Sequence, residues 1–252
     1  MKLVFNTQSL RPPMTGIGNY TFHLLEQYIE CAGIDEMHCF NGTQWLSGEE
    51  QLAATALLRA HGSDVSERIV DRMVERIRKA AVRVPGAKPL YSTIMDKRFC
   101  DIANRIPGAI YHETNYILRP YSGPSVTTVH DFSYKTHADF HPPNVIAWLD
   151  AKLPKSIEQS DCIITDSNLV RDELLQYFDI PEHKVRTVYL GVDACYQPRS
   201  QQQTATVLST FGLSHGHYVL LTATLEPRKG IDTLLDAWGM LPESLRREFP
   251  RY

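Results

Sequence analysis

The sequence predicts an α/β fold built on a doubly wound, mostly parallel sheet. Three observations lead there. Short β-rich runs alternate with helical patterns from Leu3 to Leu190, as they do when βα units share one sheet. A glycine-containing stretch, Gly16-Ile-Gly18, separates the first run from the first helix, where a loop lets backbone approach a ligand closely. His112-Glu113 and His130-Asp131 close the runs Ala109–Tyr111 and Ser125–Val129, and in such sheets ligands bind at the carboxyl ends of strands.

Leu3-Val-Phe5 reads as the first buried strand. A loop, Asn6–Gly18, is expected next, then a helix over Asn19–Glu30 with Phe22, Leu25 and Ile29 near one face. The dinucleotide fingerprint needs Gly or Ala three positions after its second glycine. Thr21 stands there, so a nicotinamide-dependent oxidoreductase is a weak reading. Met37–Phe40 is a candidate second strand, and Gly48–His61 and Val65–Val84 are predicted helices. The second of these sets an apolar stripe against a face rich in arginine. Such a helix packs on a sheet or lies on an anionic membrane surface. Further strands are expected at Cys162–Thr165 and Val185–Leu190, with helices over Asn144–Gln159 and up to Phe178. Asp166, Ser167 or Asn168 is expected to cap the latter.

Composition shifts at Gln197–Gln203, a polar segment with three consecutive glutamines. The reading is one domain over residues 1–196, a linker over 197–216, and a new βα unit over 217–252. In that unit the strand Tyr218–Leu221 leads through Glu226-Pro-Arg-Lys-Gly230 into a helix bearing Ile231, Leu234, Leu235 and Trp238. Adjacent cations at the mouth of a helix make an anion site, because exposed N–H groups and the positive helix end add to the side-chain charge. Arg grips a phosphate in two places, and Lys acts as a point charge. A solvated turn with two surface cations is the alternative. One strand and one helix cannot bury a core, so the second domain is expected to be truncated.

The remaining classes are bounded by composition. The chain has 252 residues, 43% hydrophobic and 22% charged, with a net charge of -3. That charge supplies no basic field for nucleic acid. No run approaches the roughly 20 apolar residues of a membrane span, and Met1–Phe5 is too short for a signal peptide. The five cysteines are scattered and form no C-x-x-C pair, so neither a zinc site nor a disulfide framework is expected and a reducing cytosol fits.

Five motifs, in order, carry a resemblance: Thr15-Gly-Ile-Gly-Asn-Tyr20, Val129-His-Asp-Phe132, Ile164-Thr-Asp-Ser167, Tyr189-Leu-Gly-Val-Asp193 and Ala223-Thr-Leu-Glu-Pro-Arg-Lys-Gly230. Together they resemble the family-four retaining glycosyltransferases of the GT-B fold, most of all the bacterial mannosyltransferase-type members that build O-antigen or capsular polysaccharide. The resemblance covers nearly the whole chain. It implies a Rossmann-like N-terminal domain on the acceptor side and a second domain that binds a nucleotide sugar. GDP-mannose is the expected donor, and a glycan or lipid-linked glycan the acceptor. Neither a metal nor a further cofactor is implied. Arg228 and Lys229 would stabilise the departing diphosphate, and His130 would lie near the reacting sugar. Gly16, Gly18, Asp131 and Glu226 would line the substrate sites, with Asp131 either orienting His130 or shaping the acceptor side. Relatives often carry a further arginine just before the lysine turn, where this chain has Thr222-Ala223-Thr224. Their downstream acidic motif lies past Tyr252. The implied location is the cytoplasm, with peripheral contact at the inner membrane face. A non-catalytic acceptor-binding remnant is the alternative function.

Overall fold

The computed structural model describes residues 1–12, 14–61, 87–223 and 225–249, with backbone alone at 60, 61, 87–92 and 228. The helix expected at Val65–Val84, and the membrane contact argued from it, lie outside the described residues. The chain divides into two units, residues 1–132 with 147–190 and residues 133–146 with 191–252.

The first unit holds β1 (Lys2–Asn6), α1 (Gly16–Glu30), β2 (Glu36–Phe40), β3 (Trp45–Ser47), α2 (Gly48–His61), α3 (Ala87–Ala103), β4 (Ala109–Glu113) and β5 (Ser125–Val129). It continues with most of α4 (Pro143–Gln159), then β6 (Cys162–Thr165), α5 (Asn168–Tyr177) and β7 (Val185–Thr187). The seven strands form one sheet in the order β3-β2-β1-β4-β5-β6-β7. All neighbours are parallel except the β2–β3 pair at one edge. This is the predicted doubly wound, mostly parallel architecture.

Strand β1 shows why the sheet sits in the middle. Leu3, Val4 and Phe5 are 3%, 0% and 0% exposed, so consecutive residues are buried on both faces, as a central parallel strand requires. Leu3 and Phe5 join Phe22 and Leu25 of α1 and Cys39 in one core. Val4 joins Phe40, Phe99, Ala103, Ala109 and Tyr111 in the other. The second core is largely aromatic, with Phe99 4.7 Å from Tyr111 and stacked on Trp45 at 5.5 Å between ring centroids.

Two elements of the first unit have no counterpart in the sequence reading. Helix α3 buries Met95, Phe99 and Ala103 at helical spacing, but Ile94 and Ile102 are exposed and blur the apolar stripe. Strand β3 is a three-residue edge strand, paired through a turn in which the Asn41 Oδ1 accepts from the N–H of Thr43 and Gln44. Gly42 has φ 92, and Asn-Gly at a turn is a hairpin signal.

The structure also corrects boundaries. Helix α1 begins at Gly16, so Gly16 and Gly18 occupy its first turn and are not in a loop. His112 and Glu113 belong to β4 itself. Ser167, with Oγ accepting from the Val170 N–H, is the cap of α5. Strand β7 ends at Thr187; Val188, Tyr189 and Leu190 beyond it are exposed.

The second unit contains a helical turn at Ser133–Thr136, α6 (Gln201–Thr210), α7 (Ile231–Gly239) and α8 (Glu243–Glu248). The glutamine run expected as linker opens α6, because Ser200 and Gln203 form a capping box that satisfies the first N–H groups. Within Tyr218–Leu221 only Val219 takes part in a single-residue bridge, and no strand is described there. Its alternation is nonetheless expressed. Val219, Leu221, Ala223 and Leu225 line an apolar groove of about 330 Å³ with Ile231, Leu234, Leu235 and Trp238 of α7.

The two glycines of α1 differ in their surroundings. A Cβ on Gly18 would lie 2.7 Å from the Ser9 carbonyl oxygen and 2.7 Å from Met14 Cγ, whereas one on Gly16 meets nothing within 4 Å. Gly18→Ala is expected to lower unfolding stability by about 1–3 kcal/mol through overpacking. Gly16→Ala is expected to be neutral or stabilising by up to about 1 kcal/mol, from helix propensity. Denaturant unfolding of the two variants measures both.

Candidate functional site

His130 follows β5 directly and is held from two sides. Its Nε2 donates to the Thr114 carbonyl at 2.8 Å, and its Nδ1 lies 2.7 Å from Asp166 Oδ2. The two side chains are 10% and 15% exposed. A carbonyl only accepts, so Nε2 is the ring nitrogen that donates to Thr114. Rings of Tyr20 and Tyr116 stand edge-on to the imidazole at 5.1 and 5.8 Å.

This geometry revises two readings. Asp166 is the partner of His130, and Ser167 alone takes the capping role. Asp131 is exposed, and its backbone N–H donates to the Tyr116 hydroxyl at 3.0 Å; the carboxylate on His130 Nδ1 is not its own. Tyr116 has φ 59, in the left-handed region, which a non-glycine residue adopts at a cost of order 1 kcal/mol. The strained residue sits where the chain leaves β4 and folds back over His130.

One strand away, His112 has the opposite design. Its Nδ1 meets the Tyr28 hydroxyl at 3.1 Å and its Nε2 the Thr128 hydroxyl at 3.0 Å. Hydroxyls donate or accept, so a neutral ring satisfies both. Burial first, and then the charge of His130, push the His112 pKa down from 6.5 to about 4. Thr128 passes the network on to the Tyr20 hydroxyl at 3.1 Å. The Tyr28 hydroxyl is pushed up to about 12, chiefly by burial.

Glu113, at the end of β4, is 3% exposed. Its Oε2 accepts from Asn6 Nδ2 at 2.5 Å and the Tyr111 hydroxyl at 2.6 Å, and its Oε1 accepts from the Asn115 N–H at 3.1 Å. Desolvation raises its pKa, although these donors pull the other way. The carboxyl lines the floor of a cleft of about 570 Å³ at the carboxyl ends of β1 and β4, walled by α3, α4 and the segment Ile117–Pro120. This is where the strand order reverses around β1, the usual ligand position in an open α/β sheet.

The first turn of α1 is fastened beside this edge. Thr21, at the fingerprint position that would require a small residue, is fully buried and donates to Thr114 Oγ1 at 3.0 Å while Ser9 Oγ donates to it at 2.7 Å. Gly16 is exposed and Gly18 buried. Thus Gly18, Tyr20, Thr114, His130 and Asp166 form one connected region of the first unit. Thr114, Tyr116 and Asp166 were missed as partners of His130; only Tyr20 and Asp166 lay inside quoted motifs.

Glu226, Arg228 and Lys229 lie in the second unit. Pro227–Lys229 is one 3-10 turn, Gly230 follows with φ 65, and α7 starts at Ile231. Glu226 is the extended residue entering the turn, and its side chain does not cap it. Lys229 is exposed, and the side chain of Arg228 lies outside the described residues. A left-handed glycine between a tight turn and a helix presents successive N–H groups, a geometry that suits an anion. Among the described residues, no three His, Cys, Asp or Glu side chains gather as a metal-ligand set, and no helix is long and apolar enough to cross a membrane. All five cysteines are free.

The model of Glycosyltransferase Family 4 matches residues 15–195. Over 252 residues the chain is 28% identical to an "O-antigen chain mannosyltransferase B" of Escherichia coli, covering 99% of this chain and 63% of that protein. It is also 28% identical over 95 residues to a "Serotype-specific mannosyltransferase WbdA" of Escherichia coli, 37% of this chain and 12% of that one. The chain thus spans less than two thirds of the length of these curated relatives.

His112 and the His130–Asp166 pair each give a stability prediction. His112 has a folded-state pKa below its unfolded one, so its contribution to stability is fully present above about pH 6.5 and is lost as pH falls toward 4. The loss is on the order of 3 kcal/mol. Glu113, with a raised pKa, acts in the reverse sense, so the comparison is between wild type and His112→Gln. The variant is expected to show a flatter pH dependence of Tm between pH 6.5 and 4. Asp166→Ala is expected to cost about 1–3 kcal/mol, because it leaves the buried His130 Nδ1 without its partner; urea unfolding at pH 7 measures it.

Proposed function

The chain belongs to Glycosyltransferase Family 4, and on that footing we propose that it carries the acceptor side and the diphosphate turn of a retaining mannosyltransferase. The donor in this reading is GDP-mannose, and the acceptor a glycan or lipid-linked glycan in O-antigen or capsular polysaccharide assembly. The observation that carries it is the match along 99% of the chain to an O-antigen chain mannosyltransferase. The polar cleft at the carboxyl ends of β1 and β4 supports it with a place for an acceptor.

The chemistry asked of these residues is modest. The bond from the anomeric carbon of mannose to the diphosphate oxygen breaks, a hydroxyl oxygen of the acceptor takes its place on the same face, and the hydroxyl proton passes to the departing diphosphate. Negative charge grows on the departing GDP. Arg228, Lys229 and the N–H groups leading into α7 are assigned to stabilise that charge. His130, with both ring nitrogens engaged, acts in this reading as a rigidly held polar group at the sheet edge. A general base is not its role. Asp131 and Glu226, at the exits of β5 and of the apolar run before the turn, are assigned to the acceptor and donor sides. Gly16 and Gly18 place the first turn of α1 close to the substrates.

Calorimetric titration of the chain with GDP-mannose, GDP and UDP-glucose tests the donor side. GDP compounds are expected to bind in preference to UDP-glucose, and Lys229→Ala to weaken GDP binding by about tenfold or more through loss of one charge-assisted contact. Equal binding of UDP-glucose would reject the donor assignment. Acceptor binding with no nucleotide binding would leave the non-catalytic alternative.

A further inference from the structure

Helix α4 faces the cleft with an unusual stripe. Trp148, Lys152, Lys155 and Gln159 all line it, at spacings of four, three and four that fall on one helical face. The helix is anchored by another set, Leu149, Leu153, Ser156 and Ile157, which are buried. Packing therefore does not explain the stripe. Trp148 is 50% exposed, and Lys152 and Lys155 have no ion pair or hydrogen bond among the described residues.

The other charges of the cleft are already committed. Arg119 is bonded to Asp96 at 2.5 Å and to Gln8 Oε1 at 2.7 Å, and lies over the Phe40 ring at 5.2 Å. Glu113 accepts three internal hydrogen bonds. These bonds stiffen the walls, pair Asp96 with a cation and occupy the Glu113 carboxyl with internal donors. What the cleft offers a ligand is a free indole face beside two unpaired ammonium groups. An aromatic face packs the C–H surface of a pyranose ring, while neighbouring polar groups fix its orientation. Ammonium groups add charge-assisted bonds to an anion.

We infer that the cleft between α3 and α4 is a subsite for a phosphorylated saccharide, in which Trp148 stacks on the sugar and Lys152 and Lys155 hold the phosphate. This rests on the glycosyltransferase reading and names the class of acceptor: a sugar presented next to a phosphate, as at the reducing end of a glycan joined to its carrier through phosphate. Neutral oligosaccharides lack the group the lysines would bind.

The test titrates the 252-residue chain with mannose 1-phosphate, methyl α-mannoside and inorganic phosphate, followed by saturation-transfer NMR. Mannose 1-phosphate is expected to bind at least about tenfold more tightly than either probe alone, two charge-assisted contacts being gained over the mannoside. The double variant Lys152→Ala/Lys155→Ala is expected to erase the preference over methyl α-mannoside. Trp148→Ala is expected to weaken both sugars about tenfold, and Lys229→Ala to change neither. The substituted residues are exposed, and unchanged melting curves confirm that the variants fold. Binding of the sugar phosphate that survives the α4 variants overturns the inference. So does binding lost only in Lys229→Ala, which assigns it to the diphosphate turn, or inorganic phosphate binding as tightly as the sugar phosphate. A parallel titration with GDP separates the two readings. GDP binding that depends on Lys229, without saccharide binding at α4, sinks the subsite and keeps the transferase.

Discussion

The carboxyl edge of the sheet depends on one clasp, the imidazole of His130 held between the Thr114 carbonyl and Asp166. The three residues follow β5, β4 and β6, so a single side chain ties together three consecutive carboxyl ends. A parallel sheet has no hydrogen bonds past its strand ends to fix the loops that leave them. Here a ring hydrogen-bonded at both nitrogens supplies that restraint, in a setting dry enough to strengthen it. Tyr20 and Tyr116 close over the ring. The left-handed Tyr116 is the conformational cost of bringing its ring there.

The clasp also governs its neighbour. His112, linked to Thr128 and Tyr28, is kept neutral by burial and then by the charge of His130. Two histidines at the same edge thus have different partners, one a carbonyl and a carboxylate and the other two hydroxyls. Glu113 is similarly occupied, by three donors, which makes it part of the cleft's frame.

Beside the edge, α1 is seated by size and by polarity together. Gly18 lets the helix pass against the Ser9 carbonyl, and Thr21 bonds to Thr114. In the second unit the alternation of Val219, Leu221, Ala223 and Leu225 is laid against α7 and leaves an open apolar groove. The apolar pattern is present, and backbone pairing among the described residues of this unit is limited to single-residue bridges.

Much of the fold was legible in the sequence because its signals are short-range. The runs Ser125–Val129 and Cys162–Thr165 and the helix Gly48–His61 declare themselves by period and by flanking punctuation, and each stands where it was read. The order of motifs from Thr15 to Gly230 was enough to indicate the family. Helix α3 escaped because its buried Met95, Phe99 and Ala103 are diluted by exposed isoleucines, a distinction that only packing makes. The site was half legible. His130 and the Arg228-Lys229 turn stand out by residue type and position. That Asp166, 36 residues away, completes His130 is a fact of sheet order, as is the meeting of Glu113 with Asn6 across 107 residues. Residue chemistry is written along the chain, whereas partnership between strand ends is decided by which strands lie side by side.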